Sequence, residues 1–238
     1  MKGRVHSFES MAAVDGEGLR CAVFLAGCPL RCVYCHNPDT WSGETGREMD
    51  AEAMVRKIAR YKPYFGERGG VTFSGGEPLL QAEWICRLAP LLREEGIGYV
   101  LDTSGTVPLT EWVREALAGA QEVLLDLKFW SEESYLRYTG RGLSPVMDTL
   151  RYLNERGIPT VIRTVIVPGI NDREEILSAY VSLLEGISCV KQYELLGFHT
   201  MGFFKYEQLG IANPLAKTPA LSEERRAELQ AFVDGIRT

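Results

Sequence analysis

Apolar runs of strand length alternate with runs of helical period along most of the chain. Six of the apolar runs are rich in β-branched and aromatic residues and are apolar on both faces, which is typical of buried parallel strands. They lie at 20–26, 70–74, 98–104, 122–129, 160–168 and 190–198. The helical runs lie at about 50–61, 79–95, 110–118, 144–156, 172–185 and 222–235. Asp50, Thr110 and Asp172 are expected to cap helices at their amino ends, and Gly96 and Gly157 to end two of them.

Repeating strand–helix units predict a parallel sheet with right-handed crossovers. Six units are too few for a closed eight-stranded barrel, so we predict an α/β fold in the form of an incomplete (β/α)6 barrel of TIM type. No low-complexity tract or long linker divides the sequence, so residues 1–238 are expected to form one domain. In such folds, ligands bind at the carboxyl ends of the strands.

The composition disfavours nucleic-acid-binding, secreted and membrane-spanning proteins. The 26 Lys and Arg residues against 32 Asp and Glu give a formal net charge of −6, and no basic run is present. This balance disfavours a nucleic-acid partner. The first ten residues lack the apolar core of a secretion signal, and no apolar run approaches the length of a membrane span. We therefore expect a cytoplasmic protein that binds neither nucleic acid nor a membrane.

Three of the six cysteines, Cys28, Cys32 and Cys35, form a C-x3-C-x2-C array just after the first predicted strand. In a reducing compartment, such crowding favours a metal cluster over disulfides. A structural zinc site would need four ligands, usually in two separated pairs, and the sequence has no second pair. Three thiolates on a short loop can instead hold a [4Fe–4S] cluster and leave its fourth iron open. The remaining cysteines are interpreted as buried small apolar residues: Cys21, Cys86 and Cys189.

Polar residues collect where the predicted strands end. Asp102 and Asp126 each close an apolar strand, and buried carboxylates are rarely unpaired. A structural ion pair with Lys128 and a ligand role both explain them. Arg163 interrupts the fifth strand and needs an anion, which a structural carboxylate or a cofactor could supply. His199 follows the sixth strand, where a structural role and a role at the active face both remain open.

The array C-x3-C-x-aromatic-C, with Tyr34 as the aromatic residue, resembles the signature of radical S-adenosylmethionine (SAM) enzymes. The resemblance implies one [4Fe–4S] cluster held by the three cysteines, with its open iron bound by the amino and carboxylate groups of SAM. In that family, an electron from the reduced cluster splits SAM into methionine and a 5′-deoxyadenosyl radical. The cofactor supplies such chemistry, while the protein binds and orients it.

The resemblance also implies the residues that bind SAM. The "GGE" run at 75–77 corresponds to the family sequence that receives the methionine amino group, and two glycines that simply make a tight turn are the alternative explanation. Lys128 and His199 contact SAM in the family, and Asp102 and Asp126 can form a site for a monovalent cation beside it. No conventional catalytic acid, base or nucleophile is expected. The implied cofactor-binding residues are Tyr34, Cys35, His36, Gly75, Gly76, Glu77, Asp102, Thr103, Asp126, Leu127, Lys128, Arg163 and His199.

Longer stretches resemble one branch of this family, the pyruvate formate-lyase activating enzymes. The segments at 3–20, 24–41 and 198–210 follow in the order and spacing of that branch. These enzymes abstract a hydrogen from a backbone glycine of a partner enzyme, which then carries a glycyl radical. The chain has no insert after the cysteine loop for ferredoxin-type clusters, which several other glycyl-radical activases carry. An incomplete barrel also leaves a lateral opening through which a protein loop could enter.

The resemblance implies pyruvate formate-lyase as the protein substrate and a flavodoxin or ferredoxin as the electron donor, and a monomer is the default expectation. Three other functions stay open from the sequence: activation of another glycyl-radical enzyme, radical SAM chemistry on a small molecule, and a zinc-stabilised binding module. The convergence of polar residues at the strand ends argues against the last, because a binding module does not require it.

Overall fold

Eight strands form one sheet in a computed structural model that describes residues 1–13 and 15–237. The strands are β1 (Lys2–Ala12), β2 (Arg20–Leu25), β3 (Arg47–Asp50), β4 (Gly70–Gly75), β5 (Tyr99–Thr103), β6 (Glu122–Asp126), β7 (Thr160–Ile166) and β8 (Val190–Gly197). Their order across the sheet is β3-β1-β2-β4-β5-β6-β7-β8.

The helices of the described residues lie mainly between these strands. They are α1 (Ala51–Ala59), α2 (Lys62–Phe65), α3 (Ala82–Glu94), α4 (Glu111–Gly119), α5 (Glu132–Thr139), α6 (Ser144–Glu155), α7 (Glu174–Ser182), α8 (Phe203–Leu209) and α9 (Glu223–Ile236). Short 3-10 helices occur at Pro38–Thr40 and Pro78–Gln81. Within the described ranges, no helix has both the length and the apolar character needed to cross a membrane.

The six strands predicted from the sequence are β2 and β4 to β8, and each pairs in parallel with the next. The sheet ends at β3 on one side and at β8 on the other, so it is an open, incomplete barrel, and the predicted fold class is confirmed. Two strands were not predicted: β1 runs antiparallel to β2, and β3 runs antiparallel to β1.

Alternate residues of the central strands point to opposite faces of the sheet, as the period of two requires. One face packs against the helices with side chains that are fully buried, such as Leu101, Leu125 and Ile162. The other face carries a small apolar cluster of Val100, Leu124 and Val161. Two residues further along each of these strands come Asp102, Asp126 and Arg163. The register pairs Asp126 directly with Arg163.

The predicted helix caps have different outcomes. Thr110 caps α4, because its hydroxyl accepts the backbone N–H of Val113 at 3.3 Å. Asp50 occupies the capping position of α1, but its side chain makes no capping hydrogen bond. The prediction for Asp172 is wrong: α7 begins two residues later, and the carboxylate accepts the N–H of Gly169 at 3.0 Å within the preceding turn.

Glycines end two helices as predicted. Gly96 and Gly157 follow α3 and α6 with φ of +67° and +62°, a left-handed conformation that glycine adopts without a side-chain clash. The short helices α2, α5 and α8 were not predicted, and they lie between the elements that the sequence pattern indicates.

The outer edge of β8 is covered by α9. The side-chain amide of Gln230 accepts the backbone N–H of Leu195 and donates to the carbonyl oxygen of Tyr193, both at 2.8 Å. Arg226 also donates to the carbonyl oxygen of Leu195 at 3.3 Å. These bonds satisfy edge groups that would otherwise remain available to another strand.

Candidate active site

A cavity opens at the carboxyl ends of the parallel strands and contains about 910 Å³ of empty space, including its mouth. Eleven of the residues predicted from the sequence line it: Cys28, Cys32, Tyr34, Cys35, His36, Gly75, Gly76, Asp102, Asp126, Lys128 and Arg163.

Four predicted site residues do not line the cavity. The side chain of Glu77 is fully buried, and its carboxylate accepts a hydrogen bond from the Thr103 hydroxyl at 2.6 Å. These two side chains are therefore directed at each other. Leu127 is part of the main apolar core. His199 stacks on His36, which does line the cavity.

The cavity wall also contains residues that the sequence analysis did not single out. Two of them, Ser74 and Ser104, adjoin predicted positions in the "SGGE" and "DTSG" runs, and that adjacency was the available signal. The others come from the cysteine loop and from the inward face of β7 and β8. The full set is Leu30, Asn37, Thr40, Trp41, Ser74, Ser104, Val165 and Leu196.

The cysteine loop is held in place by backbone hydrogen bonds to the end of α5. The N–H of Arg31 donates to the carbonyl oxygen of Thr139 at 2.8 Å, and the N–H of Val33 donates to that of Tyr138 at 3.0 Å. This short ladder fixes the segment between the first and the last cysteine against the barrel.

Two of the cysteine sulfurs accept hydrogen bonds from N–H groups. Cys28 accepts one from the backbone of Leu30, and Cys35 accepts one from the backbone of Asn37 and another from the indole of Trp41. Hydrogen bonds to the ligating sulfurs are a means by which proteins set the reduction potential of iron–sulfur clusters.

Burial raises the pKa of all three thiols in the loop. The pKa of Cys28 rises to about 11 and that of Cys32 to about 12, and the pKa of Cys35 is also raised. The thiols are therefore protonated at neutral pH, and a metal that binds them as thiolates must displace their protons.

The arrangement of the cysteines fits a cluster. The three thiols line one cavity, yet no group of three or more His, Cys, Asp or Glu side chains in the described ranges could hold a single metal ion. A cluster suits such an arrangement, because each thiolate binds a different iron. The other cysteines lie outside the cavity wall, and all three are buried and unpaired: Cys21, Cys86 and Cys189.

Two buried polar atoms beside the cysteines have no hydrogen-bond partner within the described part of the chain. They are the hydroxyl oxygen of Tyr34, which lines the cavity, and Nδ1 of His199. Because unpartnered buried polar groups cost free energy, the Tyr34 hydroxyl is a candidate to bind a cofactor, whereas His199 lies behind His36.

Opposite the cysteines, four charged side chains form one network. The guanidinium of Arg163 pairs with Asp102 and with Asp126, the latter at 3.2 Å. Lys128 donates from Nζ to the second oxygen of Asp126 at 2.9 Å, and the hydroxyl of Ser74 donates to the second oxygen of Asp102 at 2.6 Å. The structural pairing that the sequence analysis left open is therefore present.

The charges of this network stabilise one another. Burial alone would raise the pKa of Asp126, but Lys128 and Arg163 outweigh it and hold that pKa below its ordinary value. Burial would lower the pKa of Lys128 and of Arg163, and the carboxylates reverse this and raise both. Every carboxylate oxygen of Asp102 and Asp126 already accepts a hydrogen bond, so a cation at this position would share these oxygens with the two basic groups.

His36 connects the cysteine loop to the end of β8. Its ring stacks on that of His199 with centroids 3.9 Å apart and planes inclined by 11°. Its Nε2 also lies 2.9 Å from the carbonyl oxygen of His199. Burial is the main reason that the pKa of His36 lies below its ordinary value, so the ring is neutral at pH 7.

Helix α8 holds the segment that follows the third cysteine. The hydroxyl of Tyr206 donates to the carbonyl oxygen of Cys35 at 3.0 Å. Lys205 donates from Nζ to the side chains of Asn37 at 2.8 Å and Asp39 at 3.0 Å. The wall of the cavity near Cys35 thus depends on a helix that lies far along the chain.

The sequence pattern of the Radical SAM superfamily matches residues 23–179, which include the cysteine loop and the charged network, whereas His199 and α8 lie beyond the match. The chain belongs to the radical SAM superfamily. Membership implies a [4Fe–4S] cluster and SAM as cofactors, and the free thiols and charged groups of the cavity fit them.

Two curated relatives of this radical SAM chain are pyruvate formate-lyase-activating enzymes. The chain is 41% identical to the one from Clostridium pasteurianum over 97% of both chains. It is 39% identical to the one from Staphylococcus aureus strain USA300, over 94% of this chain and 92% of the relative. A solved structure of a domain of a pyruvate-formate lyase-activating enzyme from Bacteroides vulgatus shares the fold with a TM-score of 0.57 at 23% identity, over 70% of this chain and 94% of that one.

Proposed function

We propose that this radical SAM chain activates pyruvate formate-lyase by generating a glycyl radical on it. The observation that carries the proposal is that three free thiols and the network of Arg163, Lys128 and two aspartates face one open cavity. The identity of 41% to an activating enzyme over 97% of both chains supports pyruvate formate-lyase as the target.

Different residues of the cavity would hold the cluster and SAM. Cys28, Cys32 and Cys35 would hold three irons of the [4Fe–4S] cluster. When bound and reduced, the cluster together with SAM would supply a 5′-deoxyadenosyl radical to take the glycine hydrogen. Lys128 and Arg163 are the cations in the cavity wall that suit the methionine carboxylate.

The other predicted contacts follow from where the side chains lie. The backbone carbonyl groups of Gly75 and Gly76 suit the methionine amino group, because both residues line the cavity. Tyr34 and His36 form the wall beside the cysteines, with His199 behind His36. A monovalent cation near Asp102 and Asp126, with Thr103 and Leu127 beside them, would share the carboxylate oxygens with Arg163 and Lys128.

The proposal includes the cellular context. We expect a cytoplasmic, single-domain monomer that binds its partner transiently and receives its electron from a flavodoxin or ferredoxin. Activation of another glycyl-radical enzyme and radical SAM chemistry on a small molecule are the alternatives, and the experiment below separates them.

Protein purified without oxygen and reconstituted with iron would be reduced and mixed with SAM and pyruvate formate-lyase. We expect the electron paramagnetic resonance doublet of a glycyl radical on the partner, with 5′-deoxyadenosine formed in matching amount. Both signals should disappear in Cys32→Ala and persist in Cys189→Ala, which removes a buried thiol outside the cavity wall.

Other outcomes would redirect the proposal. Deoxyadenosine without a radical on pyruvate formate-lyase would keep the radical SAM chemistry and reject this target, and a radical on a different glycyl-radical enzyme would name the true one. The absence of both products from cluster-loaded protein would reject the function.

A further inference from the structure

Three exposed arginines lie on the outer side of the cysteine loop: Arg31, Arg137 and Arg141. We call this set the arginine face. The side chain of Arg31 donates to the carbonyl oxygen of Cys28 at 2.9 Å, and that of Arg141 donates to the carbonyl oxygen of Pro29 at 3.0 Å. Arg137 lies over the ring of Tyr138, whose carbonyl oxygen accepts the N–H of Val33. Arg31 and Arg141 therefore bind the cysteine loop directly, and Arg137 lies on α5 beside the residue to which the loop is bonded.

The positive charge of the arginine face is not neutralised locally. In the described part of the chain, none of the three guanidiniums forms an ion pair with a carboxylate. Other arginines of the protein do form such pairs, for example with carboxylates of the same helix. The chain as a whole has a net charge of −6. A cluster of unpaired positive charge on an acidic protein attracts an acidic partner to that face.

The arginine face lies outside the cavity, because none of its residues is part of the cavity wall. A glycine that gives up a hydrogen must enter the cavity, whereas an electron can reach the cluster through the loop. The guanidinium of Arg31 stacks on Trp41 at 4.8 Å, and the indole of Trp41 donates to the sulfur of Cys35. This chain of contacts joins the face to a ligating sulfur.

An apolar residue completes the face. Leu136 precedes Arg137 on α5, and 54% of its surface is exposed. Charged residues beside an exposed apolar side chain are the usual composition of a docking surface, with a polar rim around an apolar contact. The acid nearest along the helix, Glu133, lies one turn before Arg137 and forms no ion pair with it within the described residues.

We propose that the arginine face is the docking surface for an acidic one-electron carrier protein that reduces the cluster. This inference rests on the proposed function, because only a reaction that consumes an electron needs such a partner. In the step, the carrier is oxidised by one electron and the cluster gains that electron, and no atom or proton is transferred.

The test is the charge reversal Arg137→Glu/Arg141→Glu in the cluster-loaded protein, with reduced flavodoxin as the carrier. We expect the second-order rate of cluster reduction in 50 mM salt and the affinity for flavodoxin each to fall at least about tenfold. The wild-type rate should fall steeply as salt increases, and the variant rate should change little. Reduction by photoreduced 5-deazaflavin, a small uncharged reductant, should be the same in both.

Arg114→Glu/Arg156→Glu is a matched control. These two guanidiniums stack on Tyr152, and Arg114 donates from Nε to the carbonyl oxygen of Leu109 at 3.1 Å, so the same kinds of contact are lost with the same change in charge. This control should be reduced by flavodoxin at the wild-type rate. If the double reversal fails to load a cluster, Arg137→Gln removes one charge of the face and should slow reduction about threefold.

Reduction of the reversal variant by flavodoxin at the wild-type rate would overturn the proposal. So would normal reduction combined with weakened binding of pyruvate formate-lyase, because the face would then serve the glycyl-radical partner. Normal, salt-dependent reduction of the wild type without any glycyl radical would reject the proposed function and leave the docking surface in place.

Discussion

The carboxylate of Glu77 accepts two hydrogen bonds from Ser104, one from the backbone N–H at 2.8 Å and one from the hydroxyl. Its other oxygen accepts the N–H of Leu79 at 3.0 Å and the hydroxyl of Thr103 at 2.6 Å. The side chain is fully buried. Glu77 therefore ties the turn after β4 to the end of β5, and its carboxylate has no oxygen left for a cofactor amino group.

Glu77→Gln should lower the free energy of unfolding by about 1–3 kcal/mol, because a buried donor loses its acceptor. Each carboxylate oxygen accepts one backbone N–H, from Leu79 or from Ser104. An amide in either orientation therefore directs its NH2 group at one of them. Urea unfolding of the cluster-free protein measures the effect.

Glu83→Gln is the control for this change, because Glu83 forms an exposed pair with Arg87 one turn along α3. Exposed pairs of this kind contribute about 0.3–0.5 kcal/mol. Equal stability of the two variants would show that Glu77 does not brace the two strands.

Arg163→Met should destabilise the protein by about 3–5 kcal/mol, since it leaves Asp102 and Asp126 without their shared counter-ion. Arg163→Lys should lose less stability than Arg163→Met. It should still be less stable than the wild type, because one ammonium cannot reproduce a guanidinium that bonds both carboxylates. Both variants should also weaken the affinity for SAM, measured by calorimetry on cluster-loaded protein. Arg60→Met, at an exposed position, should leave both quantities unchanged. Wild-type stability of Arg163→Met would mean that the aspartates are neutralised in another way.

Cys32→Ala should reduce the iron content of reconstituted protein from about four atoms per chain to fewer than one, because a cluster with two thiolate ligands is not retained. Cys189→Ala should keep the full content, since Cys189 lies outside the cavity wall. Iron analysis and the visible absorption of the cluster measure both. Loss of iron from Cys189→Ala as well would place a cluster ligand outside the loop at 28–35.

Asp15→Asn should stabilise the protein at neutral pH. Burial, reinforced by Asp102 and partly offset by Arg163, raises the pKa of Asp15 above its ordinary value of 3.8. The folded state then holds this proton more tightly than the unfolded state, so the ionised side chain costs stability at pH values above its raised pKa. The advantage of Asp15→Asn should be complete at pH 7.5 and shrink as the pH falls towards 4. A difference that does not depend on pH, in urea unfolding across this range, would contradict the assignment.

The parallel strands could be predicted because both of their faces are buried, which leaves continuous apolar runs in the sequence. The strand β1 escaped prediction because a register shift between Val5 and Ser7 interrupts its alternation: Val5 is buried, whereas Ser7 and Glu9, which a regular strand would place on the same face, are exposed. The strand β3 is a four-residue edge strand without buried residues, so it gives no apolar signal. Asp172 resembles a helix cap in sequence, and only the turn geometry shows that it binds Gly169 instead.

The part of the candidate site that lies at the carboxyl ends of the strands could be predicted from the sequence. Asp102, Asp126 and Arg163 interrupt apolar runs, and a regular sheet places such residues together at one edge. Trp41 was not predicted, because its place in the wall depends on how the cysteine loop folds back. The direction of the Glu77 side chain could not be predicted either, since it follows from donors on a different strand.

The contact between Gln230 and β8 protects the exposed edge of the sheet from pairing with another strand. The side-chain amide of Gln230, together with Arg226, bonds backbone groups of β8 where a further strand would otherwise pair. A fragment that ended before Ser222 would keep every residue of the cavity wall, yet it would expose a strand with unpaired backbone groups. Such a fragment should associate with copies of itself through the exposed edge of β8. Helix α9 should therefore keep the protein from aggregating at high concentration.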